Sequence, residues 1–145
     1  MEESISHSIK VLNNQISREI NTFAMQFKLT GTQIQILDFL NGFAANENVF
    51  QKDVEKEFNI RRSTATNILK NMEEKGLIKR TALPSDSRLK IIEVQESGKK
   101  IQSEISKFLV ATDNKILNSL GAFERRSFIK SLHKIPEKLA ESEKK

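Results

Sequence analysis

Apolar residues recur near the start of the chain at steps of three and four: Ile5, Ile9, Leu12, Ile16, Ile20, Phe23 and Phe27. That spacing predicts one apolar stripe on a helix from about Ser4 to Phe27, roughly 35 Å long. Thr30 then caps a second helix. Gln33 can reach back to the Thr30 amide and Leu29 can pack on Ile34, a capping box with a hydrophobic staple. Ile34, Ile36, Leu37, Phe39, Leu40 and Phe43 fall on several sides of this helix, so it should be largely buried. Asn46-Glu47-Asn48 reads as a loop, and Gln51 to Phe58 as a third helix burying Val54 and Phe58. Asn59 suits a sharp turn because asparagine tolerates the left-handed conformation.

A fourth helix begins at Arg62 and is stopped by Gly76. It buries Ala65, Ile68, Leu69 and Met72 and leaves Arg62, Ser63, Thr66, Asn67 and Lys70 outward. Leu77 to Thr81 and Leu89 to Val94 alternate apolar and polar around the turn Pro84-Ser85-Asp86-Ser87-Arg88, which predicts a hairpin. A fifth helix starts near Glu96 and carries Ile101, Ile105, Phe108, Thr112, Ile116 and Leu120. Gly121 separates it from a sixth, with Phe128, Ile129, Leu132, Ile135 and Leu139, which Pro136 should bend or terminate. The charged tail Glu141 to Lys145 is expected to fray. Six helices and one hairpin make the chain mainly α, and 145 residues suit a single domain.

Charge locates the working surface. The net charge is +5, yet between Phe50 and Lys90 ten Lys or Arg face six acids, so this segment alone holds +4. A short helix, a tight turn, a polar second helix and a basic hairpin form a device for reading DNA grooves. A polyanion-binding surface needs its excess positive charge there. The other chemistries lack parts. With no cysteine there is no disulfide or thiolate site. His7 and His133 are isolated, so no metal is expected. Ser63 and Ser85 have no histidine partner, and Glu55, Glu57, Glu73 and Glu74 read as helical salt links. No catalytic residues, cofactor or enzyme activity are therefore expected. Met-Glu-Glu-Ser leads straight into an amphipathic helix and no stretch reaches membrane-spanning length, so the expectation is a cytoplasmic protein without a membrane partner.

Four stretches, in order, carry a family resemblance. They are Leu29-Thr30-x-x-Gln33-x-x-x-Leu37-x-x-Leu40; Ile60-x-x-Ser63-Thr64-Ala65-Thr66-x-Ile68-x-x-x-Met72-Glu73-x-Lys75-Gly76-Leu77-Ile78-x-Arg80; Pro84-x-Asp86-x-Arg88; and Val94-x-Glu96-x-Gly98. Together they resemble the MarR family of winged helix-turn-helix transcriptional regulators over essentially the whole chain. Three positions depart from the pattern. Arg61 stands where a capping Ser or Asp is common, Leu83 replaces the usual Asp before the wing proline, and Gln95 replaces a capping Thr, a role Ser97 could take over. The resemblance implies a single domain over residues 1–145, mainly α with a small β-hairpin wing. Its reading module would run over about residues 30–95, and its dimerisation helices over about 4–28 and 96–141.

It also implies a site. Arg61, Arg62, Ser63, Thr64, Thr66, Asn67 and Lys70 would meet DNA from the fourth helix, and Arg80, Arg88 and Lys90 from the wing. Asp86, two residues before Arg88 on an extended strand, would orient that guanidinium towards a narrow minor groove. The alternative is an exposed ion pair of little energetic value. The apolar surplus on the first, fifth and sixth helices points to a homodimer, which also suits a palindrome. A small aromatic or anionic effector is implied by the family, with Asn14, Arg18 and Phe39 bordering its pocket; an ordinary solvated helix face is the competing reading. The expected function is a homodimeric repressor on a pseudo-palindromic double-stranded DNA operator, released by such an effector. A sequence-independent architectural DNA protein and a winged-helix protein-interaction module are the rivals.

Overall fold

Thr30 and Gln33 start the second helix as their spacing predicts. In the computed structural model of the chain, which describes residues 4–144, the Thr30 hydroxyl accepts the Gln33 amide and the Gln33 side-chain carbonyl accepts the Thr30 amide, both at 3.1 Å. The first three residues of the Met-Glu-Glu-Ser start, and the last lysine of the charged tail, lie outside the described residues. The elements are α1 (Ile5–Met25), α2 (Gly31–Asn41), β1 (Val49–Phe50), α3 (Gln51–Glu57), α4 (Arg62–Glu74), β2 (Ile78–Leu83), β3 (Asp86–Val94), α5 (Glu96–Asn118) and α6 (Ala122–Glu143). The chain forms two units, one ending at Ser106 and one starting at Lys107, with the boundary inside α5.

The first unit holds the buried core. Ile34, Ile36 and Leu37 of α2, Val54 of α3, Leu69 and Met72 of α4, and Ile105 of α5 are completely enclosed. Truncating such a side chain to alanine typically costs about 2–5 kcal/mol. Phe58 and Ile68, expected in the core, are only half-buried. The strands form one antiparallel sheet in the order β1-β3-β2. Arg80 pairs with Ile92 and Thr81 with Ile91, and the register slips between Ala82 and Leu83, where Leu83 faces Asp86. The hairpin strands are longer than expected and the turn shrinks to Pro84 and Ser85. A third strand, unforeseen in the sequence, places Val49 opposite Ile92 and Phe50 opposite Ile91.

Three helices of this unit end in the same way. Lys28, Asn59 and Gly76 adopt positive φ, and the residue after each donates its amide five residues back: Leu29 to Ala24, Ile60 to Glu55, and Leu77 to Met72. This cap satisfies the last helical carbonyls and turns the chain sharply. It sets the angle between α3 and α4, the helix-turn-helix proper.

The C-terminal end of α4 is tied on several sides. Lys75 Nζ donates to the Lys28 carbonyl at 2.5 Å, and Gln33 Nε2 donates to Asn71 Oδ1 at 2.8 Å. Ser97 Oγ donates to the Gly76 carbonyl at 2.7 Å, and the Gln95 amide donates to the Leu77 carbonyl at 2.8 Å. Ser97 is therefore a tie to α4 and not the expected cap of the fifth helix; Gln95 itself precedes that helix. Gly98 makes this packing possible. A Cβ there would sit 2.4 Å from the Leu77 carbonyl oxygen and 2.8 Å from Val94 Cγ1. Backbone would have to move, so Gly98→Ala should destabilise by about 1–3 kcal/mol. Thermal unfolding should show this as a Tm lower by about 3–10 °C; an unchanged Tm would mean the contact is slack.

In the second unit, the Gly121 amide donates to Glu124 Oε1 at 3.1 Å at the start of α6. Arg125 braces the joint, donating to the Leu120 carbonyl and to Asn118 Oδ1, each at 3.2 Å. Of the two outcomes expected at Pro136, a bend or an end, the helix does not end there: α6 runs through it to Glu143 and takes in part of the tail expected to fray. Residues 129–144 are all exposed, so the Leu132 carbonyl, deprived of its amide partner, can turn to water.

Candidate nucleic-acid interface

The surface between α4 and the wing is built by local chemistry first. Arg61 occupies the N-cap of α4, and its side chain makes no capping bond. The amides of the first turn are thus left to an outside acceptor. Arg61 and Arg62 are both exposed at this positive end of the helix dipole, a poor place for cations in the isolated helix and a good one beside phosphate. Ser63, Thr64, Asn67 and Lys70 are exposed on the same helix, while Thr66 is half-buried.

The wing presents Arg88. Its side chain is 85% exposed, and Asp86 clasps it twice, with Nε to Oδ1 at 3.0 Å and Nη2 to Oδ2 at 3.2 Å. The Arg88 amide also donates to Asp86 Oδ1 at 3.0 Å, which fixes the carboxylate against the backbone. The Arg88 guanidinium foremost, and then its amide, hold the Asp86 carboxyl below the ordinary carboxylate range, with Lys52 adding a smaller pull. Because the shift is downward, the clasp is complete above that range and comes apart only as pH falls through the lowered value.

A cleft of about 680 Å³ lies between these pieces, lined by Arg62 and Thr66 from α4, Arg80 from β2, Asp86, Arg88 and Lys90 from β3, and Gln51 and Lys52 from α3. The structure thus gathers six of the residues singled out in the sequence around one concavity; Arg61, Ser63, Thr64, Asn67 and Lys70 lie outside its lining. Arg80, expected among the DNA contacts, turns inward. Its Nε meets Glu73 Oε1 at 2.7 Å and its Nη1 donates to Gln51 Oε1 at 2.9 Å. Glu73 therefore finds its cation on β2 and not along its own helix. Gln51 and Lys52 were not legible as site residues. Gln51 is a buried polar side chain on a short polar helix, and its partners lie 15 and 29 residues away.

Asn14 and Arg18 are exposed on α1, and Phe39 is half-buried, its ring edge-on to Phe43 at 5.1 Å and to Phe58 at 5.9 Å. None of the three lines the cleft at α4, nor a second one of about 600 Å³ bordered by Leu40, Phe43, Val49, Ile92 and Gln102. Among the described residues no cluster of three or more His, Asp or Glu could hold a metal ion, and no helix is long and apolar enough to cross a membrane.

Comparison with known proteins gives these features a family. A model of the MarR family matches residues 27–89, the whole of α2 through the wing tip. The crystal structure of the transcription regulator MarR from Oenococcus oeni PSU-1 is 32% identical, with 92% of this chain and 99% of that chain covered and a TM-score of 0.72. The chain belongs to the MarR family. The MarR-family resemblance read from its four motifs is thereby confirmed, and with it the winged helix-turn-helix fold of a transcriptional regulator. The chain is also similar to the HTH-type transcriptional regulator BilQ of Clostridioides difficile (strain CD3), 26% identical over 90% of this chain and 86% of that relative. The MepR–DNA complex of S. aureus shares the MarR-type fold at 23% identity and a TM-score of 0.84, over 95% of this chain and 99% of that one.

Proposed function

We propose that this MarR-family regulator is a homodimeric repressor that reads a pseudo-palindromic operator with α4 and the wing. The observation carrying this reading is the wing arginine, Arg88, exposed yet held bidentate beside the cleft that Arg62 and Lys90 also line. An arginine ordered before binding spends less entropy on contact. Arg61, Arg62, Ser63, Thr64, Thr66, Asn67 and Lys70 supply phosphate and base contacts from α4, and Arg88 and Lys90 from the wing, with Arg80 as an internal support. Exposed apolar residues at helical spacing favour a dimer: Ile5, Ile9 and Leu12 on α1, and Ile129, Leu132, Ile135 and Leu139 on α6. Two copies would set their recognition helices in successive major grooves about one turn apart. Bound there, the dimer excludes polymerase. A small aromatic or anionic effector enters this reading through family membership alone; it would release DNA by favouring a spacing of the two heads that does not fit the operator.

Binding titrations against operator and competitor DNA test the proposal. A sequence-independent architectural protein gives a specificity ratio near one, and a protein-interaction module gives no steep salt dependence on DNA. Substitutions on α4 should then separate two roles. Lys70→Ala should weaken binding to all sequences alike and flatten the salt slope by about one unit, as loss of one phosphate contact does. Asn67→Ala should relax sequence preference, because a short amide can read base edges. If both variants match the parent in affinity and preference, α4 is not the reader.

A further inference from the structure

Along the wall of the cleft at the proposed reading face runs a hydrogen-bonded chain with a fixed direction. It begins at Glu73, whose carboxylate accepts the Arg80 Nε at 2.7 Å and the Arg80 amide at 3.2 Å. Arg80 Nη1 then donates to Gln51 Oε1 at 2.9 Å. Gln51 is 6% exposed, so its amide has little recourse to water. Arginine can only donate, so the oxygen of the Gln51 amide must face it and the NH2 must face the other way. That NH2 donates to Thr66 Oγ1 at 2.9 Å.

A hydroxyl has one proton and two lone pairs. At Thr66 the side towards Gln51 is taken up by an incoming N–H, so the hydroxyl proton cannot point there. Thr112 returns its hydroxyl to the carbonyl of Phe108 on its own helix at 3.1 Å. Among the described residues, the hydrogen bond found at Thr66 Oγ1 is the one it accepts. Thr66 also lines the cleft facing the wing. We infer that Thr66 is a specificity-determining residue whose hydroxyl is preset by Gln51, Arg80 and Glu73 to donate outward. It would select a base that offers an acceptor in the major groove, guanine N7/O6, adenine N7 or thymine O4, over cytosine, which offers only its amino group there. Gln51 is then a positioning residue, acting on DNA through Thr66.

The inference rests on α4 being the reader, and the test separates the two. Sites are selected from random DNA with the full-length parent and with Thr66→Val, Thr66→Ser and Gln51→Glu, and preferences are compared position by position. Val removes the hydroxyl at nearly constant shape, and Ser retains it. Gln51→Glu keeps a partner for Arg80 but swaps the donor for a carboxylate oxygen, so the Thr66 proton turns inward and only lone pairs face outward. The expected result is one position per half-site where the parent disfavours cytosine against the three bases that offer an acceptor. Thr66→Val should flatten that preference by about five- to tenfold, the net worth of one hydrogen bond. Thr66→Ser should retain it, and Gln51→Glu should move it towards cytosine, whose major-groove group is an amino donor. The added charge of Gln51→Glu lowers affinity for every sequence, which is why preference is the readout. Unchanged preference in Thr66→Val overturns the inference, as does a uniform loss across all sequences, which would place Thr66 on phosphate. Flattening by Thr66→Val without a shift in Gln51→Glu overturns the preset direction. A parent that selects no sequence at all sinks the α4 reading itself, and this inference with it.

Discussion

Arg88→Ala is expected to lower operator affinity by roughly a hundredfold or more while the fold and the oligomeric state persist. The size follows from counting: a base-edge or narrow-groove arginine contributes about 1–3 kcal/mol, and a dimer on a palindrome loses two of them. The fold should not notice, because the side chain is 85% exposed and surface changes of this kind stay within about 0.5 kcal/mol. Asp86→Ala should give the same kind of loss but a smaller one. The guanidinium remains, but its two bonds to Asp86 are gone and it must be ordered when DNA arrives. An isolated surface ion pair makes the opposite forecast, with both substitutions nearly silent. Operator affinities at fixed salt, measured beside melting temperatures, distinguish the two. Parental affinity in Arg88→Ala would remove the wing from the mechanism.

The second large effect concerns assembly. Leu132, Ile135 and Leu139 lie at helical spacing on α6 and are 53%, 47% and 62% exposed in the single chain. Water contact on that scale is costly for large apolar side chains at about 25 cal/mol per Å². A second copy covering them would make a large hydrophobic interface of the obligate kind. Placing a charge there, as Leu132→Glu with Ile135→Glu, should turn a dimer into a monomer at micromolar concentration in sedimentation. Operator affinity should fall by about 10²–10⁴, because the second head no longer binds as a tethered partner. A parent that sediments as a clean monomer and still binds operator tightly would end the dimer proposal.

What could be foreseen in the sequence was local. Thr30 with Gln33, Asn59, Gly76, and Asp86 with Arg88 each act within three residues of themselves, so composition and spacing sufficed. What escaped was carried by partners far along the chain. Val49 and Phe50 become a strand only because Ile91 and Ile92 lie alongside; two residues have no period of their own. Arg80 looks like one more basic wing residue until the fold sets Glu73 beneath it, seven residues back on another element. Pro136 misled for a different reason. Its penalty is real, but in the single chain the helix is exposed along that stretch and water can absorb it, so of the bend or end expected there the end does not follow.

The moorings at the base of α4 give the recognition helix the mechanics of a lever. Asn71, Lys75, Gly76 and Leu77 are tied to α2, to the end of α1 and to the start of α5, whereas the opposite tip at Arg61 and Arg62 makes no capping bond of its own. The 13-residue arm is about 20 Å long, so a tilt of about 3° around the fulcrum displaces the tip by about 1 Å. Hydrogen-bond lengths tolerate only a few tenths of an ångström. Displacement grows with distance from the fulcrum, so Arg62 and Ser63 would lose their grip before Asn67, and Asn67 before Lys70. A disturbance at the foot of the helix too small to unsettle the core would therefore be magnified at its far end.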